Sequence, residues 1–129
     1  MHGVDTNVIV RYLTGDDPQQ ANRARAVIGQ RSVFVPRTVL LEVEWVLRGV
    51  YDLPTEQIIP ALRAFAGLPG VSVEDAGLVA KAMDLAEAGM DFADALQLAA
   101  AAQCERFLTF DKRFAHSGTR LSGIPVTAP

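Results

Sequence analysis

The sequence predicts an α/β fold in which a parallel sheet is covered by helices on both faces. Short apolar segments suited to strands alternate along the chain with longer segments that have helical periodicity. Chains with this alternation form parallel sheets, because a helix makes each crossover between parallel strands. A length of 129 residues, half of them hydrophobic, is enough for one globular domain with its own core.

Five short apolar segments predict the strands of that sheet. The first should be a buried strand that ends just before Asp5, and Pro36 should end the second because proline has no amide hydrogen to donate. In chain order the segments are MHGV (1–4), SVFV (32–35), GVSV (70–73), RFLTF (106–110) and IPVT (124–127).

The segments between these strands have the apolar spacing and the capping residues of helices. Thr6 or Asn7 should cap the first helix. Asp17 should cap the second helix and Thr55 the fourth, while Gly89 should end the fifth. The predicted helices cover residues 5–13, 16–30, 37–52, 54–67, 74–89 and 89–103, and a short one begins at DKRF (111–114). Since no repeat or linker interrupts this order, we expect residues 1–129 to form a single domain.

The composition argues against several classes of protein. No apolar run approaches the ~20 residues that a membrane-spanning helix needs, and no signal-peptide pattern precedes the first strand, so we expect a cytoplasmic protein. Cys104 is the only cysteine, which leaves no intrachain disulfide and no cysteine-based metal site. His2 and His116 have no zinc-ligand motif around them.

The charge is distributed unevenly along the chain. The net charge of −3 argues mildly against a nucleic-acid partner. However, residues 51–105 hold nine acidic residues and only two basic ones, whereas basic residues outnumber acidic ones both before and after that range. The basic surface therefore belongs to the two ends of the chain, and a local positive field is compatible with a negative total.

Acidic residues follow two of the predicted strands. Asp5 comes at the end of the first strand, and Asp111 comes directly after RFLTF. Ligands of parallel α/β sheets bind at the carboxyl ends of the strands, which is where these two carboxylates should lie. Each residue also has a purely structural explanation, as the cap or turn residue that begins the next helix.

Glu42 belongs to the apolar helix after the second strand. A helical projection puts Arg37, Glu44 and Arg48 on one side, which we expect to be the solvated face. Glu42 then points the opposite way, onto an apolar stripe that includes Trp45. Because a glutamate on such a stripe is costly unless it is paired, Glu42 is a candidate ligand.

Two further acids open the helix GMDFADALQLAAAAQ (89–103). We expect Asp91 to be its N-cap. Asp94 lies three residues further on and cannot be explained as the cap, although a first-turn acid favoured by the helix dipole remains a structural explanation. The small residues at 99–102 should let this helix approach the sheet closely.

Taken together, these acids indicate a metal site. Four carboxylates at one edge of a sheet would repel one another by several kcal/mol unless a cation lay between them. Ligands that are all oxygen favour a hard ion, Mg²⁺ or Mn²⁺. Such an ion typically binds phosphate oxygens and activates a water molecule.

The same residues give the chain a resemblance to a known family. The segments VDTNVIVRYL, PRTVLLEVEWVL, MDFADALQLAAA and LTFDKRF resemble, in order and spacing, the PIN-domain ribonucleases, in particular the VapC-type toxins of bacterial and archaeal toxin–antitoxin pairs. The similarity extends from residue 3 to about residue 126. It implies an α/β/α sandwich around a five-stranded parallel sheet, with an acidic catalytic and metal-binding pocket at Asp5, Glu42, Asp94 and Asp111.

The resemblance also implies a function and partners. The activity would be Mg²⁺-dependent hydrolysis of RNA phosphodiester bonds, with Mn²⁺ as a substitute. Asp91, Thr6 and Asn7 would be auxiliary residues of the site, and Arg11, Lys112 and Arg113 are the candidates for RNA contacts. Similar proteins form homodimers, or heterotetramers and octamers with a VapB-like antitoxin.

Contacts with a dimer partner or an antitoxin would involve the apolar residues between positions 38 and 66, for which core packing is an equal explanation. These residues are Trp45, Tyr51, Ile58, Ile59, Leu62 and Phe65.

Two other functions compete with the nuclease as explanations of this sequence. A non-catalytic PIN-like module that binds RNA or protein would be favoured by missing ligand acids, and none is missing. An aspartyl-phosphate enzyme with Asp5 as nucleophile would need a second aspartate two residues later, where this chain has Asn7.

Overall fold

The computed structural model describes all 129 residues, which divide into two compact units, Met1–Ala76 and Gly77–Pro129. Seven helices and five short strands alternate along the chain, and every strand pairing is parallel. The mixed α/β class is therefore confirmed, while the assignment of the whole chain to a single domain stays a prediction. Each helix is too short or too polar to cross a lipid bilayer.

The first unit contains a three-stranded sheet and four helices. Its strands are β1 (His2–Gly3), β2 (Val33–Val35) and β3 (Val71–Val73), paired in the order β1-β2-β3. Its helices are α1 (Thr6–Thr14), α2 (Pro18–Gln30), α3 (Arg37–Gly49) and α4 (Thr55–Ala66). Because β1 and β2 are parallel neighbours, α1 and α3 both begin at the same edge of this sheet.

The core of the first unit comes from helices whose apolar residues recur at helical spacing and from the central strand. The largest fully buried side chains are Ile9, Val33, Val35, Leu40, Val43, Leu47, Ile58, Ile59, Leu62 and Phe65. Four of the six apolar residues between positions 38 and 66 that are candidates for partner contacts are thus core residues: Ile58, Ile59, Leu62 and Phe65. The other two are Trp45, with 60% of its surface exposed, and Tyr51, which is half-buried.

The second unit contains three helices and a pair of strands. Along the chain these are α5 (Ala76–Glu87), α6 (Phe92–Ala100), β4 (Phe107–Leu108), α7 (Lys112–Ser122) and β5 (Val126–Thr127). β4 and β5 pair in parallel, with Phe107 opposite Val126. α7 packs against β5, and Phe114 of this helix contacts the ring of Phe107.

The sheets differ from the prediction in extent. A single five-stranded sheet was expected, but the five strands form a three-stranded sheet and a separate two-stranded one. Each strand has only two or three residues, so few ladder hydrogen bonds are available to extend the pairing. The predicted burial of the first strand is also wrong: His2 and Gly3 are exposed, because β1 pairs on one side only, and burial begins at Val4.

Two of the predicted helix caps are also different. Asp5, rather than Thr6 or Asn7, caps α1, since its backbone is extended and its side chain accepts a hydrogen bond from the Thr6 amide. Thr55 is the first residue of α4, and the extended residue before it is Pro54, which has no side-chain oxygen for capping. The predicted cap of α2 is confirmed: the Asp17 side chain accepts a hydrogen bond from the Gln20 amide.

Replacement of Gly118 by Ala should test the close approach of α7 to β5. A Cβ atom at this position would lie 2.7 Å from Val126 Cγ2 and 3.2 Å from Phe114 Cε1. Since β-branched Val126 cannot easily move away, Gly118→Ala should lower the free energy of unfolding by about 1–3 kcal/mol. The matched control is Gly29→Ala in α2, where nothing lies within 4 Å of the added carbon, and it should stabilise by up to ~1 kcal/mol. Equal free energies of unfolding for the two variants in urea denaturation would contradict the packing.

Candidate metal-binding and nuclease site

Asp5 and Asp111 lie where the sequence placed them, just beyond strands and at the start of helices. Oδ1 of Asp5 accepts a hydrogen bond of 2.8 Å from the Thr6 amide at the start of α1. Oδ1 of Asp111 accepts hydrogen bonds from the amides of Arg113 (3.0 Å) and Phe114 (3.1 Å) at the start of α7. Both residues are exposed. Their structural role as caps uses one carboxylate oxygen each, so the second oxygen is available to a ligand.

Glu42 lies on the exposed side of α3, which corrects the predicted orientation of this helix. Glu44, expected on the solvated face, is only 4% exposed and belongs to the buried stripe with Leu40, Val43 and Leu47. Glu42 is exposed, as is Trp45. Glu42 therefore faces solvent rather than an apolar stripe. Its side chain is accessible to a ligand, but the cost of burying a charge no longer argues that it binds one.

The reversal has a physical cause in the ion pair between Glu44 and Arg48. Arg48 Nε lies 3.0 Å from Glu44 Oε1 and 3.2 Å from Oε2. An arginine four residues later on the same helix can supply the partner that a buried carboxylate needs. Because α3 is apolar on both sides, its sequence pattern alone did not identify the buried one.

Asp91 is the N-cap of α6, as predicted. Its Oδ2 accepts a hydrogen bond of 3.2 Å from the backbone amide of Asp94. Asp94 itself lies in the first turn of α6 and is half-buried. The two aspartates therefore differ in role. The Asp91 carboxylate accepts a hydrogen bond from a free amide at the start of the helix, and the Asp94 carboxylate projects from the first turn.

The surroundings of Asp94 oppose its ionisation. Burial raises the pKa of Asp94 above its ordinary value, and the negative charges of Asp91 and Asp111 raise that pKa further. The structure thus brings Asp91, Asp94 and Asp111 into one electrostatic cluster within this unit. We call these three residues the Asp94 cluster.

In the first unit, Asp5 and Glu42 belong to neighbouring elements. Asp5 begins α1 and Glu42 lies in the second turn of α3; these two helices pack against each other and start at the same sheet edge. That Asp5 and Glu42 share one site with the Asp94 cluster stays a prediction.

The donor atoms suit a hard divalent cation. No three or more Asp, Glu, His or Cys side chains are grouped closely enough to form a ready-made metal site. The acids of the Asp94 cluster offer only carboxylate oxygens, which Mg²⁺ and Mn²⁺ prefer. Burial and the negative charges of Asp91 and Asp111 raise the pKa of Asp94, and a bound cation would lower it again.

The auxiliary and RNA-contact candidates are differently placed. Thr6 is buried as the first residue of α1, and Asn7 is exposed beside it. Lys112 and Arg113 are exposed in the first turn of α7, immediately after Asp111. Arg11 is not a free cation, because it donates hydrogen bonds to Gln20, Asp16 and Tyr51.

Sequence reasoning missed the network around Asp16. The hydroxyl of Tyr51 donates a 2.5 Å hydrogen bond to Asp16 Oδ2, and the Thr14 hydroxyl donates one of 2.9 Å to Oδ1. These bonds, with the charge of Arg11, lower the pKa of Asp16 below its ordinary value. Tyr51 and Asp16 are 35 residues apart, and no local pattern in the sequence connects them.

Phe110 was also missed as a candidate. It directly precedes Asp111, and 85% of its surface is exposed. An available signal was its position at the end of RFLTF, next to Asp111, Lys112 and Arg113.

Comparison with known proteins identifies the family. The family model for the PIN domain matches residues 4–118, which is most of the chain and includes all the acids discussed above. The chain therefore belongs to the PIN-domain family. PIN domains are generally metal-dependent nucleases, so a nuclease-type reaction is the chemistry that the family supports for this chain. No curated protein sequence matches it.

Replacement of Asp94 by Asn should stabilise the metal-free protein at neutral pH. A pKa raised by folding means that ionised Asp94 is less favourable in the folded chain than in the unfolded one. The penalty is absent below the ordinary Asp value of about 3.9 and grows as the pH rises through the folded-state pKa. In EDTA, the melting temperature of Asp94→Asn should therefore exceed that of the wild type by a margin that grows as the pH rises above about 4 and becomes constant above the folded-state pKa.

The matched control for that measurement is Glu105→Gln, an exposed acid of the same unit outside the Asp94 cluster. It should show no such growing advantage. A melting temperature of Asp94→Asn that stays at or below the wild-type value at pH 8 would count against crowded negative charge at this position.

Proposed function

We propose that this protein is a Mg²⁺-dependent endoribonuclease, the toxin of a VapBC-type toxin–antitoxin pair. The observation that carries the proposal is the Asp94 cluster in a PIN-domain chain: buried and negative surroundings raise the pKa of an acid that hydrogen bonds do not compensate. Membership of the family supports the nuclease chemistry. The four motifs quoted above support the choice of RNA and of the toxin class.

Asp5, Glu42, Asp94 and Asp111 would hold the ion, Mg²⁺ or in its place Mn²⁺. When bound, the ion would act as a Lewis acid that neutralises charge on the phosphate and lowers the pKa of a bound water molecule. The capping hydrogen bonds of Asp5 and Asp111 orient their carboxylates, which reduces the reorganisation needed when substrate binds. Exposed Glu42 or half-buried Asp94 would orient the attacking water.

The surface beside Asp111 supports an unpaired RNA strand as substrate. Lys112 and Arg113 can neutralise phosphates, and the exposed ring of Phe110 can stack on a base. Alternation of an aromatic ring with basic side chains is typical of proteins that bind single-stranded nucleic acid. We therefore assign the flanking contacts of the scissile phosphate to these three residues.

The proposed partners are a VapB-like antitoxin and a second copy of this chain. Trp45 on α3 and Val50 at its end are large apolar side chains that remain exposed, 60% and 69% respectively. Such residues are enriched where proteins contact one another. A short open reading frame directly upstream whose product inhibits RNA cleavage would support the toxin assignment, and a product without inhibition would count against it.

Loss of a metal-binding acid should abolish RNA cleavage. Asp94→Asn, Asp5→Asn and Glu42→Gln should each reduce kcat/KM in Mg²⁺ by about 100-fold or more, because several kcal/mol of charge stabilisation are lost. EDTA should stop cleavage and added Mg²⁺ or Mn²⁺ should restore it. Gel analysis of a labelled single-stranded RNA measures both, with Glu105→Gln as the control of unchanged activity.

Cleavage by Asp94→Asn at the wild-type rate would exclude the assigned site. RNA binding with no cleavage in Mg²⁺ or Mn²⁺ by the wild type would instead identify the alternative, a non-catalytic PIN-like module that binds RNA or protein.

Removal of the Phe110 ring should weaken the use of single-stranded RNA. Stacking contributes about 1–3 kcal/mol per base, so Phe110→Ala should raise KM by about 5- to 150-fold with little change in kcat. Phe110→Trp should retain the wild-type KM. Phe110→Leu keeps apolar bulk but has no aromatic face, and it should behave like Phe110→Ala. Steady-state kinetics that give the same KM for the Trp and Leu variants would contradict stacking.

A further inference from the structure

A groove with a volume of about 260 Å³ lies between α1 and α2 in the first unit. We call it the α1–α2 groove. It is lined by Asn7, Val8 and Arg11 from α1 and by Gln20, Arg23, Ala24 and Val27 from α2. Two of these residues are arginines and none is acidic, in a protein whose net charge is negative. The groove is therefore suited to an anionic ligand.

The two arginines of the groove have different surroundings. Arg11 is held in one orientation by Gln20, Asp16 and Tyr51, and Asp16 offsets part of its charge. Arg23 is exposed and has no carboxylate partner. The uncompensated positive charge of the groove therefore belongs to Arg23. The Arg11 side chain is held in place and forms part of the side of the groove.

The other lining groups add hydrogen-bond donors and an apolar floor. Oε1 of Gln20 accepts the 2.9 Å hydrogen bond from Arg11 Nε, so the amide nitrogen of Gln20 remains free to donate. The amide of Asn7 is exposed. Val8, Ala24 and Val27 supply apolar surface between these polar groups. Donors around an apolar floor match a nucleotide, which combines a phosphate with a sugar and a base.

The position of the groove connects it with the proposed site. Asn7 lies two residues after Asp5, and the groove then follows α1 to Arg11, a rise of about 6 Å along the helix axis. A strand whose scissile phosphate lay at Asp5 could therefore place a neighbouring nucleotide between α1 and α2.

We propose that the α1–α2 groove binds one nucleotide of the RNA strand next to the one that is cut, with Arg23 on its phosphate and the apolar floor against its sugar or base. The inference rests on the proposed function, since it takes RNA as the substrate. It adds a binding subsite in the first unit, formed by other residues than those named beside Asp111.

The test compares two arginines on the same helix. Arg23→Ala should raise the Kd for a fluorescein-labelled single-stranded RNA of mixed sequence about 10-fold, as expected for a lost charge-assisted phosphate contact. It should also reduce the salt dependence of binding by about one phosphate contact. Fluorescence anisotropy is measured in Ca²⁺, and a gel verifies that the RNA stays intact.

Arg25→Ala is the matched control. Arg25 has the same charge and is exposed on α2, but its guanidinium hydrogen-bonds to Asn22 and lies over Gly15 rather than in the groove. Its replacement should change the Kd less than twofold. Val27→Trp fills the groove without removing a charge and should also weaken binding, with circular dichroism to verify the fold of each variant.

The outcomes separate this inference from the proposed function. Metal-dependent cleavage with equal Kd values for Arg23→Ala and Arg25→Ala would overturn the groove subsite and leave the ribonuclease standing. RNA binding that depends on Arg23 but is not followed by cleavage would overturn the ribonuclease and support RNA binding in the groove. If Arg23→Ala and Val27→Trp left RNA binding unchanged but prevented inhibition by the protein encoded upstream, the groove would be a protein-docking site and the inference would be wrong.

Discussion

Asp5, Asp91 and Asp111 each begin a helix by accepting hydrogen bonds from its first backbone amides, and this capping fixes the positions of these three carboxylates. A capping carboxylate occupies the point where an extended segment turns into a helix. Asp5 and Asp111 consequently lie just beyond β1 and β4, at the carboxyl ends of parallel strands. In each unit, the hydrogen bonds that stabilise the helix thus also hold acidic oxygens at the kind of sheet edge where α/β proteins bind ligands.

The carboxylate of Asp94 does not cap a helix. The N-terminus of α6 is already capped by Asp91, and the field of the helix favours an anion there. Burial and the negative charges of Asp91 and Asp111 nevertheless raise the pKa of Asp94. An acid with a raised pKa in a cluster of carboxylates is a candidate for a functional role, and a bound cation would favour its ionised form. The general use of divalent metals by PIN domains agrees with this explanation.

The sequence correctly predicted features that depend on residues close together in the chain. The predictions failed for features that depend on contacts between residues far apart in the chain. Helix positions and the caps at Asp17 and Asp91 follow from residues a few positions apart, and these predictions are confirmed. The buried side of α3 depends on what packs against it, and with apolar residues on both sides the Glu44–Arg48 pair made the opposite choice possible. The hydrogen bond between Tyr51 and Asp16 joins two loops, which no periodicity can reveal.

Arg11 shows why a count of basic residues does not locate an RNA-binding surface. Asp16, Gln20 and Tyr51 already use its donors, so its formal charge contributes less than that of Arg23, Lys112 or Arg113. The same reasoning applies to the whole chain. Its net charge of −3 opposes RNA, but if a metal ion takes up four of the 15 acidic residues, 12 basic residues face 11 acidic ones. Metal binding would then do more than activate water, because it would also remove the repulsion that keeps a phosphate away from the carboxylates.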